Sequence, residues 1–416
     1  MSVTIHGHKR GDNTFGVYRH SDGTIKLYKR GLIGEWQQLG SDIQGESSND
    51  KFGESVAISS NGNRIVIGAT GDDAGGSNAG HVRVFDWNGS TWTQVGSDID
   101  GEAAGDAFGT SVAISSDGSR IAVGAELHDN DKGTVRVYDY SDSSWSQVGS
   151  DIDGVTGDRA GIIAMNSDGS KIVIGATLND DAGSNAGSVR VYEYSDSSWS
   201  QLGSDIDGEA AGDKFGSSVA MSENGNRIIV GSQLNDGGGS NSGHARVFDW
   251  NGSAWTQVGS DIDGASADDK VRSVTISSDG SRIAVGSWTA SGTGDVAYNN
   301  AGHIRVFDYS GSAWSQVGST IEGVAGNEYE GYFVTMSSDG VRIATGAIGH
   351  SSDRGRVRVY DYISSAWTQV GSDIVGSEVD DYLGRSVAIS SDGTRIVVGA
   401  DQNLSGAGYV RVFKEI

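Results

Sequence analysis

Three phrases in residues 92–138 decide the fold. They read Trp92-Thr-Gln-Val-Gly-Ser-Asp-Ile-Asp-Gly-Glu102, then Asp106-Ala-Phe-Gly-Thr-Ser-Val-Ala-Ile-Ser-Ser-Asp-Gly-Ser-Arg-Ile-Ala-Val-Gly-Ala125, then Gly133-Thr-Val-Arg-Val-Tyr138. The first phrase recurs at Trp36, Trp92, Trp145, Trp199, Trp255, Trp314 and Trp367, at intervals of 56, 53, 54, 56, 59 and 53 residues by subtraction of neighbouring tryptophan numbers. Repetition at this period marks an array of one supersecondary unit, whose copies bury a continuous core only by stacking on each other.

Alternation and turn signals place four β segments in each unit. In the second copy they are Ser111–Ser115, Arg120–Ala125, Thr134–Tyr140 and Ser144–Gly149, with a hairpin turn of the Asp-Gly type at Ser116–Ser119. No helical period is visible. Seven units of four antiparallel strands read as an all-β, seven-bladed β-propeller. The ends support closure. The last unit offers strands at Ser386–Ser390, Arg395–Ala400 and Tyr409–Phe413 and no Trp strand after them. The Trp36 strand has no partners before it, so it is expected to complete the C-terminal blade and remove the open sheet edges. Residues 33–416 form the propeller in this reading. Residues 1–32 form a small β appendage, with short strands expected at Val3–His6, Phe15–Tyr18 and Thr24–Tyr28.

The chain has 416 residues, 65 glycines, no proline and no cysteine. Sharp bends must therefore use Gly, Asn and Asp at positive φ, and neither disulfides nor thiolate metal sites exist. No apolar run in the first thirty residues reads as an export signal or a membrane span. The formal charge of −25 opposes binding to nucleic acid. That charge is segregated. Residues 1–30 hold six Lys or Arg against Asp12 and Asp22, 6 − 2 = +4, so the rest of the chain carries −25 − 4 = −29. A basic arm on an acidic body either folds back on that body or docks on something else.

The segments Phe52-Gly-Glu-Ser-Val, Phe108-Gly-Thr-Ser-Val and Phe215-Gly-Ser-Ser-Val, each followed by a Gly-x-Val/Ala-Arg-Val-Phe/Tyr strand, resemble FG-GAP repeats. That family includes the seven-bladed head of integrin α chains and many bacterial surface proteins. The resemblance covers about Trp36 to Phe413 and implies recognition through loops on one face of the ring. Two departures stand out. The calcium hairpin of the family is missing, because turns such as Ser116–Ser119 and Ser60–Asn63 supply at most one acid where a hard cation needs six or more oxygens. Copies three, five, six and seven also lose the Phe-Gly pair, reading Arg159-Ala-Gly, Lys270-Val-Arg, Glu330-Gly-Tyr and Tyr382-Leu-Gly, a local divergence for packing or for binding.

Among candidate sites, the loops after the second strand hold Asp72-Asp73, Asp129-Asn-Asp131, Asn179-Asp-Asp181 and Asn235-Asp236, which are calcium ligands or, as expected, turn formers. Asp98, Asp100 and Glu102, echoed at Asp205, Asp207 and Glu209, recur in most copies and read as turn chemistry, since an active site is built once. Arg83, Arg136, Arg190, Arg246, Arg305, Arg358 and Arg411 share one place and are expected to pair with a repeat Asp between blades. His6-Gly-His8 offers a weak metal pair. Trp87, Trp250 and Trp288 lie outside the repeated tryptophan position and are either sugar platforms or core. No nucleophile elbow, no cysteine and no carboxylate pair outside the repeat suggests catalysis, so no catalytic, cofactor or metal residue is assigned.

These readings lead to a non-enzymatic structural and attachment protein. A rigid acidic propeller would be displayed on a large particle such as a phage virion, with residues 1–32 meeting other subunits and propeller loops meeting a surface protein or glycan. The alternative is a secreted or cell-surface adhesion propeller. A glycan-acting enzyme ranks below both, and a singular polar pocket at the ring's centre would be its mark.

Overall fold

A computed structural model describes residues 15–19, 25–29, 34–291, 299–402 and 406–416. His6, His8 and the Val3–His6 segment lie outside the described residues. The expected hairpin of the N-terminal appendage is present, with Phe15–Arg19 antiparallel to Ile25–Lys29.

Seven antiparallel sheets follow, in the strand order a-b-c-d. Blade 2 shows the pattern, with strands a Ser111–Ile114, b Arg120–Ala125, c Thr134–Ser141 and d Ser144–Gln147. The fourth strand is broken in every blade. In blade 2 a second piece, Ile152–Asp153, returns to pair with Thr134 and Val135 on strand c, so the outer edge is two short pieces rather than the single strand expected through Gly149. Gly149 lies at φ +75°, a left-handed bend that stops the ladder before it resumes.

Ring closure is as read from the ends. Trp36–Gln38 pairs with Phe413–Glu415, and Ile43–Gln44 pairs with Tyr409–Val410, completing blade 7. A belt of backbone hydrogen bonds then runs round the end of the channel where the a–b turns lie. Ser60 donates to Ser116, Ser116 to Ser167, Ser167 to Glu223, Glu223 to Ser278, Ser278 to Ser338, Ser338 to Ser391, and Ser391 back to Ser60, all between 2.8 and 3.1 Å.

Strand b explains how so apolar-poor a chain has a core. Its run Ile65-Val66-Ile67 is fully buried because both faces are covered by neighbouring blades. Each interblade cluster draws on two sheets, as where Val66, Val82 and Val84 of blade 1 meet Phe108, Ile121 and Val123 of blade 2. The close approach uses glycine: a Cβ on Gly68 would lie 2.2 Å from the carbonyl of Gly109 in the next blade.

Two side-chain devices lock blade to blade. The repeated tryptophans each donate the indole N–H to a carbonyl of the preceding blade, for example Trp92 to Leu39 at 2.9 Å and Trp199 to Val148 at 3.0 Å. Arg64, at the start of strand b, forms a bidentate pair with Asp86, donates to the Gly118 carbonyl of the next blade and lies over the Tyr140 ring there at 4.7 Å. Arg120, Arg227, Arg282 and Arg342 repeat this arrangement. The sequence reading missed this second arginine set, and it is the one that takes the repeat aspartate of strand c.

Candidate functional site at the channel mouth

Where strands a begin and strands b end, the channel opens into a cavity of about 360 Å³ lined by all seven blades. The geometry follows from the repeat. A buried anchor precedes or opens strand a in each blade (Phe52, Phe108, Ala160, Phe215, Val271, Leu383 and, by exception, Glu330), and in blades 1, 2, 4, 6 and 7 the residue two places on lines the cavity. That position holds Glu54, Thr110, Ser217, Tyr332 and Arg385; in blade 5, whose strand is one residue shorter here, Arg272 takes the place. The residue after strand b varies likewise, with Thr70, Glu126, Trp288 and Asp401 among its occupants. One scaffold position thus carries different chemistry in each blade.

The next residue along strand a is usually serine and staples the blades below the mouth. Ser55 donates to Gly109 at 2.6 Å and Ser386 to Gly53 at 2.7 Å, while Ser111, Ser218 and Ser273 accept from backbone N–H groups of the next blade. Ile162 and Phe333 replace it in blades 3 and 6.

The groups at the mouth form a polarised cluster. Tyr332 Oη accepts from Arg272 at 2.8 Å and also from Arg385. Arg385 further pairs with Glu54 at 3.3 Å and Asp401 at 3.4 Å, and Glu54 accepts the Thr70 hydroxyl. The Arg272 guanidinium stands 4.2 Å from the Tyr332 ring centroid, with Trp288 packed edge-on against Tyr332. Arg272 has no carboxylate within 4.0 Å among the described residues, and its Nε is buried without a partner. Burial lowers its basicity, with Tyr332 acting in the opposite sense. Opposite it, Glu126 lines the same cavity with no hydrogen bond or ion pair among the described residues. Burial raises its carboxyl above the usual range against the pull of Arg159. Burial also pushes Asp401 up to about 6, outweighing Arg385. The expectation was of no carboxylate pair outside the repeat; Glu126 and Asp401 are single raised carboxyls in blades 2 and 7, both at the position that follows strand b.

The other candidates fall elsewhere. Asp73, Asp180 and Asp236 each accept the backbone N–H five residues on, so these loop acids close their own turns. Asp129 and Asp131 sit in a short left-handed turn and pair with Lys132 and Arg159. Asp98 and Asp205 accept from Gln94 and Gln201, and Glu102 pairs with Arg136, which is turn and interblade chemistry. Asp100 instead joins Asp72 and His81 in a trio whose ligand atoms lie within 4.8 Å, and Glu209, His244 and Asp261 form a second. The strand-c arginines pair with Asp in part: Arg136 with Asp151, Arg190 with Asp205 and Arg411 with Asp42. Arg83 takes Glu46, Arg246 takes Glu209 and Arg358 takes Glu330, while Arg305 donates to the Asp263 carbonyl and has no carboxylate partner among the described residues. Trp87 and Trp250 pair with Trp92 and Trp255 at the place where blades 2, 3, 5 and 6 have Tyr, so they are packing residues, whereas Trp288 packs behind the mouth residue Tyr332.

The FG-GAP repeat family matches residues 44–85, 97–138 and 206–248. These are blades 1, 2 and 4, the ones that keep Phe52-Gly, Phe108-Gly and Phe215-Gly. The protein is thus a seven-bladed propeller with FG-GAP repeats in three blades, an architecture suited to binding and structural roles. No curated protein matches the chain. No helix among the described residues is long and apolar enough to cross a membrane.

Proposed function

We propose that this chain is a non-enzymatic recognition propeller, carried on a larger assembly by its basic residues 1–32, with a phage virion or similar particle as the host structure. One observation carries the recognition half: the blades are alike on one face and different on the other. The a–b turns share a seven-membered hydrogen-bond belt. At the mouth, equivalent positions hold Glu54, Thr110, Ser217, Tyr332 and Arg385. Variation placed on one end of a rigid scaffold is how a scaffold acquires a binding site. The display half is supported by the charge contrast of +4 on residues 1–30 against −29 on the remainder.

Sedimentation of native source material, with the chain located by mass spectrometry, tests the display. Co-migration with a large particle, lost on deletion of residues 1–32, is the expected result. Recovery of the intact chain as a free 43.2 kDa species would refute it.

A glycan-acting enzyme is the second reading, favoured by the raised Glu126 and Asp401 carboxyls. Hydrolysis of a glycosidic bond uses two carboxyl groups facing the substrate. Here Asp401 is turned to Arg385, and Glu54 is tied to Arg385 and Thr70, which leaves Glu126 as the unengaged acid on the cavity wall. Release of reducing ends from acidic glycans, abolished in Glu126→Gln, would establish the enzyme instead.

A further inference from the structure

Among the described residues, the channel mouth holds a cation with no acid to pair with and an acid with no hydrogen bond or ion pair, and both line one cavity. We infer that the mouth takes the carboxylate-bearing end group of an acidic saccharide, with Arg272 gripping the carboxylate and Glu126 meeting a ring hydroxyl. The inference rests on reading the mouth as the recognition site.

Arg272 is the first ground. A buried guanidinium is normally matched by an acid, because an unmatched charge away from bulk water is costly. The equivalent arginine of blade 7, Arg385, has Glu54 and Asp401; among the described residues Arg272 has only the Tyr332 hydroxyl, and its Nε is orphaned. The fork of a guanidinium suits a planar carboxylate held by two parallel hydrogen bonds. The Tyr332 ring lies against the guanidinium and restricts its orientation before any ligand arrives.

Glu126 is the second. Its carboxyl lines the cavity with no hydrogen bond or ion pair among the described residues, in surroundings that oppose ionisation, so it is suited to exchange hydrogen bonds with a hydroxyl rather than to bind a cation. A ligand that meets both groups needs an anionic end and a neutral hydroxyl. A sugar acid has that pattern on one ring. The cavity, at about 360 Å³, is at the lower end of the size range of small-molecule sites and suits one or two sugar rings rather than a folded partner. Phe333, partly buried on its wall, supplies an apolar surface for the ring's C–H face.

The test is a titration of the full chain with glucuronic acid and N-acetylneuraminic acid by ligand-observed NMR, with glucose, inorganic phosphate and glycine as comparison probes. At least one sugar acid should bind at one site, about thirtyfold or more tighter than glucose. Arg272→Gln should abolish that binding with the thermal unfolding transition retained. Because Arg272 also packs on Tyr332, Glu126→Gln provides a second variant; it breaks no hydrogen bond or ion pair among the described residues and should weaken the sugar acid while leaving the binding of acetate, a further comparison probe, unchanged. Equal binding of glucose and glucuronate, phosphate or glycine binding as tightly as the sugar acids, or full sugar-acid binding by Arg272→Gln would each overturn the inference. If no sugar acid binds, while mouth substitutions still abolish capture of a surface target by the intact particle, the saccharide assignment falls and the recognition reading stands.

Discussion

Trp36 donates its indole N–H to the carbonyl of Val370 over 3.1 Å, although the two residues are 334 positions apart in the chain. Trp199 makes the same bond to Val148 in mid-ring at 3.0 Å, across 51 positions. The seam between the chain's two ends is therefore built like every other blade junction. Trp36→Phe and Trp199→Phe each remove one donor and should lower unfolding free energy by about 1–2 kcal/mol in urea titrations. A Trp36→Phe variant without loss, beside a destabilised Trp199→Phe, would mean that the ring stands open in solution.

Blade 6 replaces the anchoring phenylalanine with Glu330, which is fully buried and accepts from Arg356 at 3.0 Å and from Arg358. In blade 1 the same place is an arginine over an aromatic ring, Arg83 at 4.2 Å from Phe52. Removing the charge of Glu330 leaves two buried guanidinium groups short of a partner. Glu330→Gln should cost about 3–5 kcal/mol, whereas Asp86→Asn at the more exposed Arg64 pair should cost about 1 kcal/mol or less. Chemical denaturation of both variants checks the ordering, and equal losses would contradict it.

His303 starts strand c in blade 5, buried with both ring nitrogens unpartnered. Burial, then Arg305, lowers it to about 4, with Glu322 pulling weakly the other way. The folded value lies below the unfolded one near 6.5, so the unfolded chain binds the extra proton between them. Stability from this group is complete above pH 6.5 and is lost as pH falls towards 4, by about 3 kcal/mol in all. Thr134 holds the same register position in blade 2. His303→Thr should therefore flatten the stability profile between pH 4 and 6.5, and an unchanged slope would contradict the assignment.

Asp401 has the opposite sign. Its folded value of about 6 lies above the ordinary carboxylate value, so stability falls as pH rises from about 4 to 6 and stays low beyond. Asp401→Asn should be close to neutral at pH 4 and gain up to about 3 kcal/mol near pH 8. Loss of stability at pH 8 would instead show that its pairing with Arg385 outweighs the cost of its burial.

Blade number, strand order and closure were legible because they depend on periodicity, and seven copies of one phrase average out local noise. The break in strand d was not, since it turns on one positive-φ residue such as Gly149. The mouth was half legible. Loss of the Phe-Gly pair in copies five, six and seven pointed to the segments that supply Arg272, Tyr332 and Arg385. Their convergence was hidden because it joins residues from 53 to 60 positions apart through the ring axis. Glu126 and Asp401 directly follow strand b, and their burial in the fold, not their sequence context, sets them apart. Arg64 and its equivalents were passed over because a charged residue at a strand's start reads as solvated.

The central claim is that recognition belongs to the varied mouth and not to the uniform face behind it. The most direct measurement is binding of the full chain to an array of acidic and neutral glycans, comparing Arg272→Gln and Glu126→Gln with Asn61→Ala and Asp117→Ala on the a–b turns. The mouth variants are expected to lose binding to acidic glycans and the turn variants to keep it. Binding that survives at the mouth and disappears with the turn substitutions would contradict the account.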